Sequence, residues 1–229
     1  MCKKSIKNTL IPPWADIDTV LLDMDGTLLD LHFDTHFWLE HVPIRYAEAN
    51  NLSLEQARKQ LMIRYHQAEG RLEWYCVDYW SDQLKLDIET LKQEVGHLIS
   101  VRPDVISFLQ SLGNTGKHRV LVTNAHGKSL SLKMKRTPIG EYLDEIITAH
   151  DIGLPKEHDD FWYRLQQQLP FSPSHTLLID DSVNVLQSAE KYGIKYLRAI
   201  LQPNSKLNPE PHDRYIHIDR FADIVPFSD

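Results

Sequence analysis

Three stretches of this chain, VLL at 20–22, VLV at 120–122 and LLI at 177–179, are apolar without interruption. A strand with one wet face alternates polar and apolar residues, so an unbroken run implies that both faces are covered. Parallel strands between two layers of helix meet that condition. With these runs, the segments Thr19–Leu22, Arg119–Val122, Glu145–Thr148, Thr176–Ile179, Tyr196–Ile200 and Tyr215–Ile218 read as strands. Helical patterns separate them, which predicts an α/β fold with a Rossmann-like, mostly parallel sheet.

One interval breaks the alternation. The stretch between Leu22 and Arg119 is far longer than one crossover helix requires, which predicts a core of residues 1–31 and 101–229 and an inserted helical subdomain at 32–100. Within the insert, Ser53 and Gln56 have capping-box spacing, and Leu54, Ala57, Leu61, Tyr65, Ala68 and Leu72 follow along one helical face. Asp87 is placed to cap a helix through Leu91 and Val95, with Gly96 beyond its end. Pro103 is expected to open a helix over Val105–Leu112 that Gly113 ends. The basic stretch KSLSLKMKR, 128–136, reads as a solvated helix face.

Composition narrows the function classes. Of the 229 residues 42% are hydrophobic and 25% charged, as in an ordinary globular protein, and the net charge of −7 does not attract nucleic acid or anionic membrane. The N-terminal MCKKSIKNTLIPPW lacks the apolar stretch of a signal peptide, and no run approaches a membrane span. The two cysteines, Cys2 and Cys76, suit neither a disulfide framework nor a zinc motif, and a reducing cytoplasmic compartment is expected.

Chemistry gathers where the strands end. VLL runs into Asp23 and Asp25, with Gly26 able to turn the chain. The next long run ends in Thr123 and Asn124, Lys156 follows in GLPK, and TLLI ends in Asp180 and Asp181. Open parallel sheets present ligands beyond the carboxyl ends of their strands, so one rim is expected to collect all of these groups. Four carboxylates against Lys156 alone leave a formal charge of −3. That would repel a phosphate dianion unless a hard divalent cation joined the site, and even then one carboxylate should hold a proton.

DMDGT, TN, an isolated Lys and IDDS, in this order and with a helical insert after the first, resemble the four motifs of the haloacid dehalogenase (HAD) superfamily of phosphohydrolases. The resemblance implies a HAD core with a helical (C1-type) cap. It implies Asp23 as the nucleophile that forms an aspartyl-phosphate and Asp25 as acid and then base. Thr123, Asn124 and Lys156 would hold the phosphoryl group. A Mg²⁺ ion would bind Asp23, the Asp25 carbonyl and Asp180 or Asp181, with Asp181 favoured as the direct ligand. Asp25 argues for phosphoryl transfer over dehalogenation, since a departing halide needs no proton.

The aromatics of the insert, with WYCVDYWS at 74–81 and TNAH at 123–126, resemble the bacterial purine 5′-nucleotidases of that superfamily, which implies guanosine and inosine monophosphates as substrates. His32, Phe33, Trp38 and Tyr79 are the candidate base contacts. Sugar phosphates or phosphoglycolate are the alternative substrates, and a non-catalytic nucleotide-binding module is the alternative class. Hinges are expected near Leu31–His32 and Ser100–Arg102.

Overall fold

The computed structural model describes residues 10–226; Cys2 and the basic N-terminal residues lie outside them. Six strands form one sheet: β1 (Thr19–Leu22), β2 (His118–Thr123), β3 (Glu145–Thr148), β4 (Thr176–Asp180), β5 (Tyr196–Ile200) and β6 (Ile216–Ile218). Their order is β3-β2-β1-β4-β5-β6, and every pairing is parallel. The chain therefore builds outward from β1 on one side, then returns to place β4 on the other. The carboxyl end of β1, between those of β2 and β4, is the switch point where such sheets bind ligands.

The unbroken apolar runs are explained by two cores, one on each face. Val20, Leu22, Leu121, Leu177 and Ile179 join one cluster, and Leu21, Val120, Val122 and Leu178 join the other. This is the period-two alternation of a strand with apolar residues on both sides.

Between β1 and β2 come α1 (His32–His36), α2 (Val42–Asn50), α3 (Leu54–Ala68), α4 (Val77–Leu84), α5 (Ile88–Glu94) and α6 (Val105–Asn114). The first five build a third apolar cluster, centred on Phe37, Leu61, Tyr65 and Trp80, over the carboxyl edge of the sheet. A π-helical turn, Phe37–His41, joins α1 to α2, and such turns displace side chains from the α-helical register. The chain enters and leaves this layer side by side: the Asp30 N–H donates to the Ser100 carbonyl and the Arg102 N–H to that of Leu28, each at 3.0 Å. The remaining helices are α7 (Gly127–Arg136), α8 (Ala149–Ile152), α9 (Phe161–Gln168) and α10 (Val183–Tyr192).

Both arms of the Ser53–Gln56 capping box form, and Asp87 accepts the Thr90 N–H to cap α5. Three local expectations are corrected. Helix α3 ends at Ala68, so Leu72 lies in a later 3₁₀ turn and packs on the sheet's core. Pro103 precedes α6 without opening it; Asp104, at φ +64°, occupies the cap position. Gly113 stays within α6, which runs on to Asn114, and its lack of a side chain leaves room for the Arg119 guanidinium, which sits 2.4 Å from the place of a Cβ.

Leu178 lies fully buried in a central strand, whereas Leu54 is exposed. Leu178→Ala should lower the unfolding free energy by about 2–5 kcal/mol and Leu54→Ala by less than about 0.5 kcal/mol, measured by urea denaturation.

Candidate active site

The carboxyl ends of β1, β2 and β4 deliver the predicted residues to one place. The Lys156 ammonium donates to Asp23 Oδ1 at 2.5 Å, Asp180 Oδ2 at 2.7 Å and the Val122 carbonyl at 3.1 Å, so its three protons tie all three strand ends together. Lys156 is itself held through its backbone N–H, which donates to Asn124 Oδ1 at 2.9 Å, and Asn124 Nδ2 donates to Glu157. Thr123 Oγ1 accepts the Ala125 N–H and shapes the turn after β2. Burial opposes charge on Lys156, but the carboxylates of Asp180 and Asp23 outweigh it and raise its pKa, so it is an ammonium.

Asp23 carries an asymmetry. One carboxylate oxygen belongs to Lys156; the other, Oδ2, is buried and has no hydrogen-bond partner. An unpaired buried oxygen on a carboxylate is costly. Desolvation, only partly offset by Lys156 and worsened by Asp180, pushes the Asp23 pKa up to about 6. The chain then turns sharply: Gly26 has φ +87°, and a Cβ there would lie 2.4 Å from Asp181 Oδ2. Glycine is required both for the turn and for the approach of Asp181.

Asp23, Asp180 and Asp181 each offer one oxygen within 4.8 Å of the others. Asp180 spends both oxygens on protein donors, Lys156 and the Ser182 N–H. Burial, followed by repulsion from Asp23 and Asp180, drives the Asp181 pKa far above the usual carboxylate range. A glycine that lets Asp181 approach Asp23, and hard oxygen donors throughout, fit a Mg²⁺ ion.

A second network was missed in the sequence. Lys133, in the middle of KSLSLKMKR, is 1% exposed; its ammonium donates to Asp25 Oδ1 and Asp34 Oδ2, both at 2.6 Å. Lys92 of α5 donates to the other Asp34 oxygen at 2.8 Å. Burial would raise the Asp34 pKa, but Lys133 and Lys92 overcome it and hold the carboxylate well below its ordinary value. Asp25 is pushed up to about 6, first by desolvation, with Lys133 opposing and Asp34 and Asp23 adding to the rise.

The charge count changes accordingly. Asp23, Asp25, Asp34, Asp180 and Asp181 face Lys92, Lys133 and Lys156, leaving two formal negative charges, which one divalent cation cancels. The expectation that the basic stretch is only a solvated face is also corrected. Ser129 and Lys133, one turn apart, are both buried, and that spacing on the helix directly after TN was the available signal.

Asp23, Asp25, Asp34, Lys92, Lys156, Asp180 and Asp181 floor a cavity of about 400 Å³ whose other wall includes Trp38, Leu39, Tyr65, Trp74 and Tyr75. Of the four base-contact candidates, Trp38 alone lines it. Phe33 is 1% exposed, with its ring 5.0 Å from the Lys92 ammonium and 5.3 Å from that of Lys133, so it supports the ion network. Tyr79 packs edge-on to Trp80 at 5.1 Å. The His32 ring lies 6.0 Å from that of His36, and the His32 backbone N–H donates to Asp30 Oδ1. Trp74 and Tyr75 reach the cavity instead, the latter with its hydroxyl donating to Glu157 at 3.0 Å.

Comparison with known proteins agrees with this geometry. The chain is 38% identical over 213 residues, 93% of its length and 96% of the other's, to the GMP/IMP nucleotidase YrfG of Escherichia coli K12. A HAD phosphatase from Thermococcus onnurineus superposes with a TM-score of 0.76 at 22% identity, covering 90% of this chain and 95% of that one. The HAD hydrolase YfnB of Bacillus subtilis, bound to magnesium, gives 0.61 at 20% identity over 90% and 96%. Residues 20–199 match the family of haloacid dehalogenase-like hydrolases, and the chain belongs to that family.

Proposed function

We propose that this protein is a Mg²⁺-dependent phosphomonoesterase that hydrolyses purine nucleoside 5′-monophosphates through an aspartyl-phosphate on Asp23. The observation that carries the proposal is the Asp23 carboxylate, one oxygen fixed by Lys156 and the other unpaired at the floor of the cavity. That Oδ2 forms the bond to phosphorus as the ester bond to O5′ breaks. Lys156 keeps the carboxylate oriented and offsets charge on the phosphoryl oxygens, while the Thr123 hydroxyl and the Asn124 N–H bind them.

Asp25 gives its proton to the departing O5′ and then takes one from the water that cleaves the acyl-phosphate. A pKa near 6 suits both tasks. Lys133 occupies only one Asp25 oxygen and leaves the other for proton transfer. A Mg²⁺ ion held by Asp23, Asp181 and the Asp25 carbonyl, with Asp180 outside its direct ligands, would neutralise phosphate charge.

Residues 32–100 act as the cap, with hinges at the paired crossings near Leu31–His32 and Ser100–Arg102, and exclude water from the first step. The cap's apolar wall supports the substrate assignment, since Trp38 and Trp74 offer faces on which a purine can stack. The relative's assignment to guanosine and inosine monophosphates supports the same class. Among the described residues no helix is long and apolar enough to cross a membrane, and we place the enzyme in the cytoplasm, where such nucleotides are turned over.

Asp23→Asn should reduce phosphate release from inosine monophosphate by at least about 10⁴-fold, and chelation of Mg²⁺ should abolish release reversibly. Unchanged turnover in the variant would overturn the mechanism.

Trp74→Ala should raise KM for inosine and guanosine monophosphates by roughly 5–100-fold, the worth of one stacked base. KM for p-nitrophenyl phosphate or phosphoglycolate should change little. Preference of the wild type for the small esters would instead favour a sugar-phosphate or phosphoglycolate phosphatase.

Lys133 lowers the Asp25 pKa, so Lys133→Met should raise it further. A general acid works while protonated, and the basic limb of the kcat–pH profile should therefore move to higher pH.

A further inference from the structure

Beside the catalytic cavity, a second group of metal-ligating side chains joins the helical layer to the sheet. Cys76 precedes α4, His126 precedes α7 after β2, and His150 lies in the first turn of α8 after β3. The thiol sulfur and one ring nitrogen of each histidine lie within 4.8 Å of one another. Both nitrogens of His150 are buried without a hydrogen-bond partner. The two imidazole rings meet edge to face with centroids 4.9 Å apart.

An imidazole in a packed interior ordinarily donates one N–H and accepts at its other nitrogen, and leaving both unpaired costs stability. Protonation does not relieve the cost. Burial lowers the pKa of His126, and burial together with the neighbouring His126 lowers that of His150, so both rings are neutral at physiological pH. Neutral His150 therefore keeps a lone pair that no donor occupies, as a metal ligand requires, while His126 Nδ1 accepts the Lys128 N–H at 3.4 Å, a long contact that ligation through that nitrogen would end.

We propose that Cys76, His126 and His150 bind a borderline-soft divalent cation of the Zn²⁺ type, at a site separate from the carboxylate-lined Mg²⁺ site. One sulfur and two nitrogens are a donor set that Zn²⁺ or Co²⁺ takes and Mg²⁺ does not. On binding, the Cys76 thiol releases its proton to solvent as the sulfur–metal bond forms. Tetrahedral bonds of about 2.0–2.3 Å place ligand atoms roughly 3.3–3.7 Å apart, so the three side chains close inward by about an ångström. The fourth position is left to water.

The local charge tolerates a cation. Asp78 approaches His126 Nε2 at 3.8 Å, and although Lys128 stands nearby, it is engaged by Asp78 at 2.8 Å and Glu89 at 3.1 Å. Because Cys76 belongs to the insert while both histidines follow sheet strands, occupancy ties the insert to the sheet's edge. His126 also lines the catalytic cavity, which puts the tether at its wall.

The test uses the full, metal-stripped chain titrated with Co²⁺ in saturating Mg²⁺. One equivalent should give the near-ultraviolet thiolate-to-cobalt charge-transfer band and intense tetrahedral visible bands, and Zn²⁺ should displace both. Cys76→Ser should remove the charge-transfer band yet fold normally. The Cys76 sulfur accepts the Tyr79 N–H at the start of α4, and serine is a preferred residue for that task. His150→Ala should weaken Co²⁺ binding by at least about tenfold and gives a second reading should the serine variant not fold. Cys2→Ser should leave the spectrum unchanged.

A band that survives Cys76→Ser or follows Cys2 would overturn the proposal. So would Co²⁺ that gives only weak oxygen-ligand absorption and is lost in Asp181→Asn. None of these readings depends on turnover, so they stand apart from the catalytic assignment.

Discussion

The Lys156 ammonium is the contact on which the site depends. Three strands of a parallel sheet end side by side, and two of them end in buried carboxylates that would repel one another without a cation between them. Lys156 reaches in from the loop before α9, and Asn124, at the end of β2, holds that loop through its amide oxygen. Removing one partner from such an arrangement leaves a buried unpaired charge, worth about 3–5 kcal/mol. The same bond that makes the fold tolerable selects which Asp23 oxygen stays unpaired.

A second chain of charge runs upward from the rim. Asp25 of the sheet edge, Lys133 of α7, Asp34 of α1 and Lys92 of α5 alternate in sign, with each ammonium bridging to the next carboxylate. Phe33 and Phe37 present ring faces to these cations, a favourable contact in a dry environment. The helical layer is therefore coupled to Asp25 at the sheet's rim through buried ion pairs as well as through apolar packing. Movement of α1 and α5 away from the sheet would strip Lys133 of one of its two carboxylates.

The sheet and its rim were legible because their signals are local. An uninterrupted apolar run forces two-sided burial, and the polar residues at its end have one place to go, so Asp23, Asp25, Thr123, Asn124, Asp180 and Asp181 could be placed from the strands alone. Lys133 and Asp34 were not legible. A buried lysine in a basic helix looks like a surface lysine until its carboxylate partners, distant in sequence, are known, and tertiary electrostatics decides the matter. Which of the insert's aromatics face the cavity was hidden for a related reason. Phe33, Trp38, Trp74 and Tyr79 have the same composition signal, but which ring faces the cavity depends on the π-helical turn at Phe37–His41 and on the 3₁₀ turn that carries Trp74. Neither turn leaves a distinctive pattern.

Five carboxylates around three lysines would be a poor way to stabilise a small region, and the raised pKa values of Asp23, Asp25 and Asp181 register that cost. The arrangement becomes sensible when stability is weighed against chemistry. Fully neutralising Asp23 with another lysine would occupy Oδ2, the oxygen that the proposed mechanism needs free. Replacing Asp181 with an apolar residue would lower the repulsion and discard a cation ligand. On the proposed function, the site keeps two excess negative charges that one divalent cation would cancel, which would allow a phosphate to approach.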